Sequence, residues 1–265
     1  MNKAYRITKN TIKVLTMRAT LNNIKKERGE VMNRSKFFYA KIYGDRALIT
    51  APESKSGGEK HSYQIFTQEA LKGILDANYF KPTLVNQVDE VRVMNKIESY
   101  TQGVRLLIKN YKSDLSAYTY IYNVCYYIKF HFVWNMDRED LKGDRNFAKH
   151  EAITERSLKR GGRRPIFLGV SECMGYIEPL TETAYETDPG YYDDTNLGFG
   201  LMFNGFIYPD QPGGMLYSTY APINMIQGRI IYPRSEESPI KNSVSNYTFK
   251  VPVVTKSVDD ELKDY

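Results

Sequence analysis

Residues 118–134, YTYIYNVCYYIKFHFVW, constrain this chain more than any other stretch. The run is aromatic and β-branched almost throughout, and such residues favour strands. The bias extends to the whole chain, whose 265 residues include 22 Tyr and 12 Phe but one Trp. A β-rich fold is therefore the first inference.

The elements around that run follow from local pattern. Residues 36–42 (KFFYAKI) are strand-like, a Tyr-Gly-Asp turn follows, and residues 47–50 form a short apolar run. Residues 54–59 (SKSGGE) read as a flexible loop. Thr67 caps an expected helix over residues 68–80, with Glu69 in its first turn and Leu71, Ile74, Leu75 and Asn78 on one face. Lys81-Pro82 ends it. Residues 83–94 alternate as a strand, residues 95–117 are polar and irregular, and a second helix is expected over 145–159, stopped by Gly161-Gly162. Residues 166–170 and 174–178 read as paired strands. The order strand, helix, strand, strand, helix, strand is the ferredoxin-like, or split βαβ, pattern, whose open sheet often serves as an RNA platform.

After Pro179 the composition changes. Residues 181–197 are acidic and loop-like, then residues 201–208, 215–221 and 228–232 read as short strands between Gly/Pro turns. The expected architecture is α+β: a basic, loosely ordered extension (1–34), a ferredoxin-like domain (35–180), a small antiparallel β-sheet domain (181–255) and a disordered tail (256–265). Residues 1–31 carry eight Lys or Arg against Glu27 and Glu30. They could be a targeting segment, an RNA-contacting arm or the product of an upstream start, with Met32 the natural one; the last, or a loosely ordered arm, is favoured.

Charge and cysteine content narrow the function classes. A net charge of +6 and a pI near 9.0 point to a polyanionic partner, provided the charge clusters. Cys125 and Cys173 lie in apolar runs with no CxxC or Cys/His cluster, so no zinc site or disulfide framework is indicated, and reduced thiols in a cytosolic protein are expected. No apolar run approaches the roughly 20 residues of a membrane span. Asp137, Glu139, Asp140 and Asp144 match no metal-loop spacing, and neither GxSxG nor a Walker or Rossmann glycine pattern occurs. No metal or cofactor is expected.

The charge does cluster. Lys149 and His150 sit on the second expected helix, followed by Lys159, Arg160, Arg163 and Arg164 around Gly161-Gly162. Histidine changes charge near neutral pH, so His150 suits proton transfer, although an exposed helix histidine is the plainer reading of spacing alone. In metal-free RNA cleavage a base takes the 2′-OH proton and a cation stabilises the phosphorane; histidine and lysine suit those roles. Adjacent helix residues point about 100° apart, so Lys149 and His150 can share a site only at a cleft edge. The Lys159–Arg164 stretch is either a solvated helix end or a phosphate-binding turn whose glycines let backbone approach the ligand. His61, beside Lys60 and near Lys55, is a candidate phosphate contact, while His131 in the aromatic strand reads as a core or sheet-facing residue.

Four blocks in order, residues 57–82 (GGEKHSYQIFTQEALKGILDANYFKP), 88–97 (VDEVRVMNKI), 144–179 (DRNFAKHEAITERSLKRGGRRPIFLGVSECMGYIEP) and 197–210 (LGFGLMFNGFIYPD), resemble the CRISPR-associated RAMP endoribonucleases of subtype I-C, also called Dvulg. The resemblance runs from about residue 36 to 233. It implies a metal-independent endoribonuclease that cleaves CRISPR repeat RNA at the base of its stem-loop. The products carry a 2′,3′-cyclic phosphate, and the protein stays on the 5′ handle as a Cascade subunit; some superfamily relatives bind RNA there without cutting it. The family's catalytic tyrosine falls on Tyr79 in NYFKP and its Lys-His pair on Lys149 and His150. Without the resemblance, an aromatic closing an amphipathic helix reads as core. Two departures stand out: residues 1–31 have no counterpart, and Phe66-Thr67 replaces a common Pro-Thr. The expected RNA contacts are Lys55, Lys60, His61, Lys159, Arg160, Arg163 and Arg164, and the expected partners are repeat RNA and the other Cascade subunits, with no membrane association.

Overall fold

The computed structural model describes residues 34–54, 59–107, 113–209 and 213–248. Lys55 and most of the 54–59 loop, the basic extension before Arg34 and the expected tail lie outside the described residues.

The aromatic run is the spine of the sheet. Strand β5 (Ser113–Trp134) pairs with β1 (Phe38–Ala47), β3 (Leu84–Val93) and β4 (Glu98–Leu107), all antiparallel, and with the two-residue β2 (Lys60–His61) in parallel. The central order is β3-β5-β1-β7, with β7 covering Met174–Pro179 and pairing with β6 (Ile166–Phe167). Two helices fall between these strands: α1 (Gln68–Asn78) after β1, and α2 (Phe147–Lys159) after β5. This is the split βαβ arrangement that the element order predicts.

Alternation decides which face of the sheet is covered. Phe38, Ala40 and Ile42 of β1 register with Phe130, Ile128 and Tyr126 of β5, and all six are buried. Against them α1 places Leu71, Ile74 and Leu75, and α2 places Thr154 and Leu158. Burial of side chains this size contributes roughly 1.5–3 kcal/mol each for the apolar ones. The other face is partly covered by a short helix, α3 (Glu182–Thr187), whose Tyr185 packs on Tyr39 and Tyr127. His131 lies there too, buried and bonded to Asp89 at 2.7 Å, a sheet-facing structural role.

Beyond β7 and α3 the chain forms β8 (Asn196–Ile207), β9 (Met215–Ile226), β10 (Arg229–Ile230) and β11 (Ile240–Asn246). β9 pairs with β8, β10 and β11, and β10 pairs with β3, so the C-terminal strands extend the first sheet at its β3 edge. Buried Arg92 on β3 also ties the acidic segment down, donating to the Asp188 carbonyl at 2.9 Å and to the Asp193 carboxylate at 3.0 Å.

Several local expectations are corrected. Residues 98–107, expected to be irregular, pair with β5 as a long hairpin arm; both faces of that arm see water, so its sequence lacks apolar alternation. β1 is one continuous strand through the expected turn. The acidic 181–197 segment contains α3, and the fully exposed β11 gave no apolar signal. Helix α2 begins at Phe147 rather than Arg145, because the Asn146 side chain caps it, accepting from the Lys149 N–H at 3.1 Å.

Candidate active site

Helix α2 divides its side chains between two environments. Lys149, Ile153, Arg156 and Arg160 recur at intervals of four, three and four residues, which places them in one stripe. His150, Thr154, Ser157 and Leu158 occupy the buried side. Adjacent residues point about 100° apart, so Lys149 faces solvent while His150 turns wholly inward, with 0% of its surface exposed. The expectation of an exposed helix histidine is thereby corrected.

His150 lies against an aromatic wall. Trp134 and Phe132 from the end of β5 meet its ring edge-on at 5.7 and 6.3 Å, and Phe147 packs against both. Its two nitrogens are nevertheless both bonded. Nε2 lies 2.8 Å from the backbone carbonyl oxygen of Asp144, and Nδ1 lies 2.8 Å from the hydroxyl of Tyr79. A carbonyl only accepts, so in the neutral ring Nε2 carries the proton, and Nδ1 accepts from the Tyr79 hydroxyl.

Tyr79 reaches this position because it is the C-cap of α1. Its backbone has left the helix (φ −152°, ψ 117°), while its N–H still donates to the Leu75 carbonyl. Asn86 of β3 donates to the Tyr79 carbonyl at 3.2 Å, which fixes the turn. The residue is 2% exposed. Burial, followed by the negative charge of Asp144, raises the pKa of its phenol, with Arg163 opposing; the neutral phenol is the favoured form. The Arg163 guanidinium stands over its ring at 5.5 Å.

Asp144, at the end of a 3-10 turn over Glu139–Asp144, also binds the neighbouring lysine: its carboxylate pairs with the Lys149 ammonium and accepts from Thr83 Oγ1 at 3.0 Å. The lysine bond, then that of Thr83, holds the Asp144 carboxyl below the usual range. Asp144 and Thr83 were missed by sequence reasoning, which weighed Asp144 only as a metal ligand. The available signal was its place just before the N-cap of a helix bearing the Lys-His pair.

A cleft of about 370 Å³ opens beside Tyr79. Lys149, Arg156 and Arg160 line it from α2, Lys81 from the turn after α1, and Arg163 from the loop after α2, with no carboxylate among the lining residues. Five cations around one small volume suit a polyanion. Lys81 and Arg156 were not singled out in the sequence, although Arg156 completes the 149/153/156/160 stripe. Lys159 lies off that stripe and Arg164 is outside the lining; both are exposed on the same end of the molecule.

The glycines of the basic turn end the helix, as their position in the sequence predicts. Gly161 and Gly162 adopt positive φ (78° and 101°) and terminate α2 by donating to the carbonyls of Leu158 and Ser157. The turn then docks on the end of α1, where the N–H groups of Arg163 and Arg164 bond the carbonyls of Asn78 and Ala77. Ser157 Oγ donates to the same Asn78 carbonyl at 2.6 Å. The backbone approaches a helix end, and this approach is what aims Arg163 at Tyr79.

Lys60 and His61 lie elsewhere. They pair with Tyr118 and Thr119, thirteen residues along β5 from Phe132, or roughly 40 Å at strand rise. Lys60 stands over the Tyr118 ring at 4.9 Å, and His61 is exposed. Any contact they make with a ligand is separate from the cleft.

The family profile described as CRISPR-associated protein (Cas_Cas5) matches residues 38–233. The chain belongs to this family. A CRISPR-associated protein of known crystal structure is 41% identical, with a TM-score of 0.66 over 79% of this chain and 97% of its own. A functionally uncharacterized protein from Streptococcus mutans is 42% identical, with a TM-score of 0.65 over 79% of this chain and 98% of its own. No curated protein matches the chain. Tyr79 and His150, 71 residues apart in the chain, are thus bonded within the span that the family profile matches, and Lys149 lines the cleft beside Tyr79. Among the described residues, no group of three or more His, Cys, Asp or Glu side chains is placed to hold a metal ion, and no helix is long and apolar enough to cross a membrane.

Proposed function

We propose that the chain is a subtype I-C endoribonuclease that cleaves CRISPR repeat RNA hairpins without a metal and stays on the 5′ handle as a Cascade subunit. The observation that carries this reading is the 2.8 Å bond between the Tyr79 hydroxyl and His150 Nδ1, at the edge of a cleft lined by five cations.

The bonding pattern gives the steps an order. A phosphodiester enters the cleft, held by Arg156, Arg160 and Arg163. The 2′-OH gives its proton to the Tyr79 oxygen as Tyr79 passes its own proton to Nδ1 of His150, so no free phenolate forms. This agrees with the raised pKa of the phenol. The 2′-oxygen bonds to phosphorus, and Lys149 stabilises the charge on the phosphorane. The bond from phosphorus to the 5′-oxygen breaks, and the proton returns through Tyr79 to that oxygen. The products are a 2′,3′-cyclic phosphate and a 5′-hydroxyl. His150 is the base, Tyr79 the group that meets the substrate, and Lys149 the electrostatic stabiliser.

The test is incubation of the purified chain with its own repeat RNA in EDTA, with a second RNA carrying a 2′-deoxy nucleotide 5′ of the cut. Cleavage of the first and survival of the second are expected; cleavage of the deoxy RNA rules out attack by the 2′-OH.

One observation favours a second reading, a crRNA-binding subunit that does not cut. Tyr79 is 2% exposed, His150 is fully buried and Lys149 is engaged by Asp144, so all three already have partners inside the protein. That reading predicts salt-sensitive RNA binding without products, and indifference to His150→Ala.

A further inference from the structure

Asp144 touches both members of the Lys149–His150 pair, and each contact uses a different part of it. Its backbone carbonyl accepts a hydrogen bond from Nε2 of His150 at 2.8 Å. One carboxylate oxygen, Oδ2, lies 3.4 Å from the same nitrogen and accepts from Thr83. The other, Oδ1, holds the Lys149 ammonium. His150 is buried among Phe132, Trp134 and Phe147, so a proton arriving on Nδ1 creates a charge with few places to be balanced. The ionisable groups facing that ring are Tyr79 and Asp144, with Lys149 and Arg163 one contact further out. Asp144 is the one anion among them.

We infer that Asp144 is a positioning residue for cleavage: its main chain fixes the imidazole tautomer, and its carboxylate is transferred from Lys149 to His150 when a substrate phosphate draws Lys149 into the cleft. This rests on the Tyr79–His150 relay proposed above. In the free protein the carboxylate is committed to Lys149, whose side chain is half-exposed at the cleft rim. A phosphodiester among the cleft cations competes for that ammonium. Once Lys149 turns to the phosphate, Oδ1 has lost its cation, and Oδ2 stands within reach of Nε2. The imidazolium that forms as Tyr79 hands over its proton then takes the vacated place. One ion pair thus becomes two: Asp144–Lys149 gives way to Lys149–phosphate and Asp144–His150. The strength of the base is thereby coupled to occupancy of the cleft, and the buried histidine is stabilised as a cation only when there is a proton to receive.

The test compares wild type with Asp144→Asn and Asp144→Glu in the full chain, using hairpin repeat RNA in EDTA. Every variant keeps the main-chain carbonyl, and therefore the tautomer. For Asp144→Asn the expected result is a kcat lower by about 10- to 100-fold and a KM within about threefold. The acid limb of kcat, which reports the enzyme–RNA complex, should move to lower pH, because the imidazolium has lost its counter-charge; Asp144→Glu returns the limb toward wild type. A wild-type kcat with an unmoved limb in Asp144→Asn overturns the inference, as does a change confined to KM, which would confine Asp144 to holding Lys149. Nitrogen NMR of histidine-labelled protein without RNA tests the same groups independently of cleavage. It should show Nε2 protonated and Nδ1 bare in wild type and Asp144→Asn alike. A proton on Nδ1 in the neutral ring overturns the tautomer assignment. If wild type cuts no RNA, the nuclease reading and the catalytic half of this inference fall together, and the NMR result decides the rest.

Discussion

Replacing Tyr79 by Phe removes one oxygen and leaves the ring. The change is informative because of what it strands. His150 Nδ1 accepts its bond from the Tyr79 hydroxyl inside a wall of Phe132, Trp134 and Phe147. The Asp144 carbonyl keeps the proton on Nε2, so the ring cannot turn Nδ1 into a donor to escape the loss. A buried acceptor left without a partner costs about 1–3 kcal/mol. For a chain of this size each kcal/mol lowers Tm by about 2–4 °C, so a fall of roughly 2–12 °C is expected. The ring itself, with Arg163 stacked on it, remains, and so do the five cations of the cleft. RNA affinity should therefore stay within about threefold of wild type. Cleavage should not: losing the group that relays the proton costs about 10²- to 10⁴-fold. Single-turnover cleavage of the repeat hairpin in EDTA, with protein in excess and at a temperature well below the lowered Tm, separates the effects. Tyr79→Phe protein that binds and also cuts within about threefold of wild type would refute the relay. A drop in Tm without a drop in rate would show that the bond serves folding alone.

Other expectations follow from the same geometry. Arg156→Ala or Arg160→Ala should each lower the slope of log affinity against log salt by about 0.7 while leaving the saturated cleavage rate unchanged; Lys159→Ala, off the cleft stripe, should change the slope less, and filter binding over a salt series reads the difference. Gly162→Ala places a Cβ at φ +101° and within 3.3 Å of the Arg164 carbonyl, so unfolding in denaturant should show a loss of about 1–3 kcal/mol. At high pH, buried tyrosines oppose the folded state. Burial first, then bonds to Glu172 and Asp188, pushes Tyr120 and Tyr127 up to about 12. Folded protein thus retains protons that unfolded chain releases near pH 10. That stabilisation is fully present below about pH 10 and is lost as pH rises through about 12. Phenolate absorbance should rise later in native than in denatured protein, and coincident curves would contradict the assignment.

The sheet was legible because its signals are local. Residues 118–134 are apolar on alternating and often adjacent positions, and Thr67 with Gly161-Gly162 marks one end of each helix. The hairpin arm was illegible for the opposite reason: Glu98, Ser99, Thr101 and Gln102 are exposed strand residues, and their composition is that of a loop. In the site, the basic character of residues 149–164 was plain, but its sorting was not. Arg156 could be found from the helical stripe, whereas Lys81 belongs to another turn, and only the docking of the α2 exit loop on α1 brings the two together. Tyr79 shows the limit most clearly. Its burial is that of the core residue its pattern suggests, while its hydroxyl is bonded to His150 beside the cleft; no spacing rule reveals that bond, because the ring that makes it is packed as core.

The adjacency of Lys149 and His150 looked like an obstacle, since neighbours on a helix diverge by about 100°. The structure makes the divergence useful. Lys149 turns outward to the cation-lined cleft, His150 turns inward to where water is excluded, and neither has to compromise its surroundings. A histidine at the cleft surface would sit beside five cations that oppose its protonation. Buried, it faces the carbonyl and carboxylate of Asp144 instead. In the proposed relay the tyrosine spans the two: the residue lines the cleft, and its hydroxyl is bonded to Nδ1. Nucleic acid needs positive charge around it and a base needs negative charge behind it. A helix that presents consecutive residues to opposite environments, bridged by a phenol from another helix, supplies both within one turn.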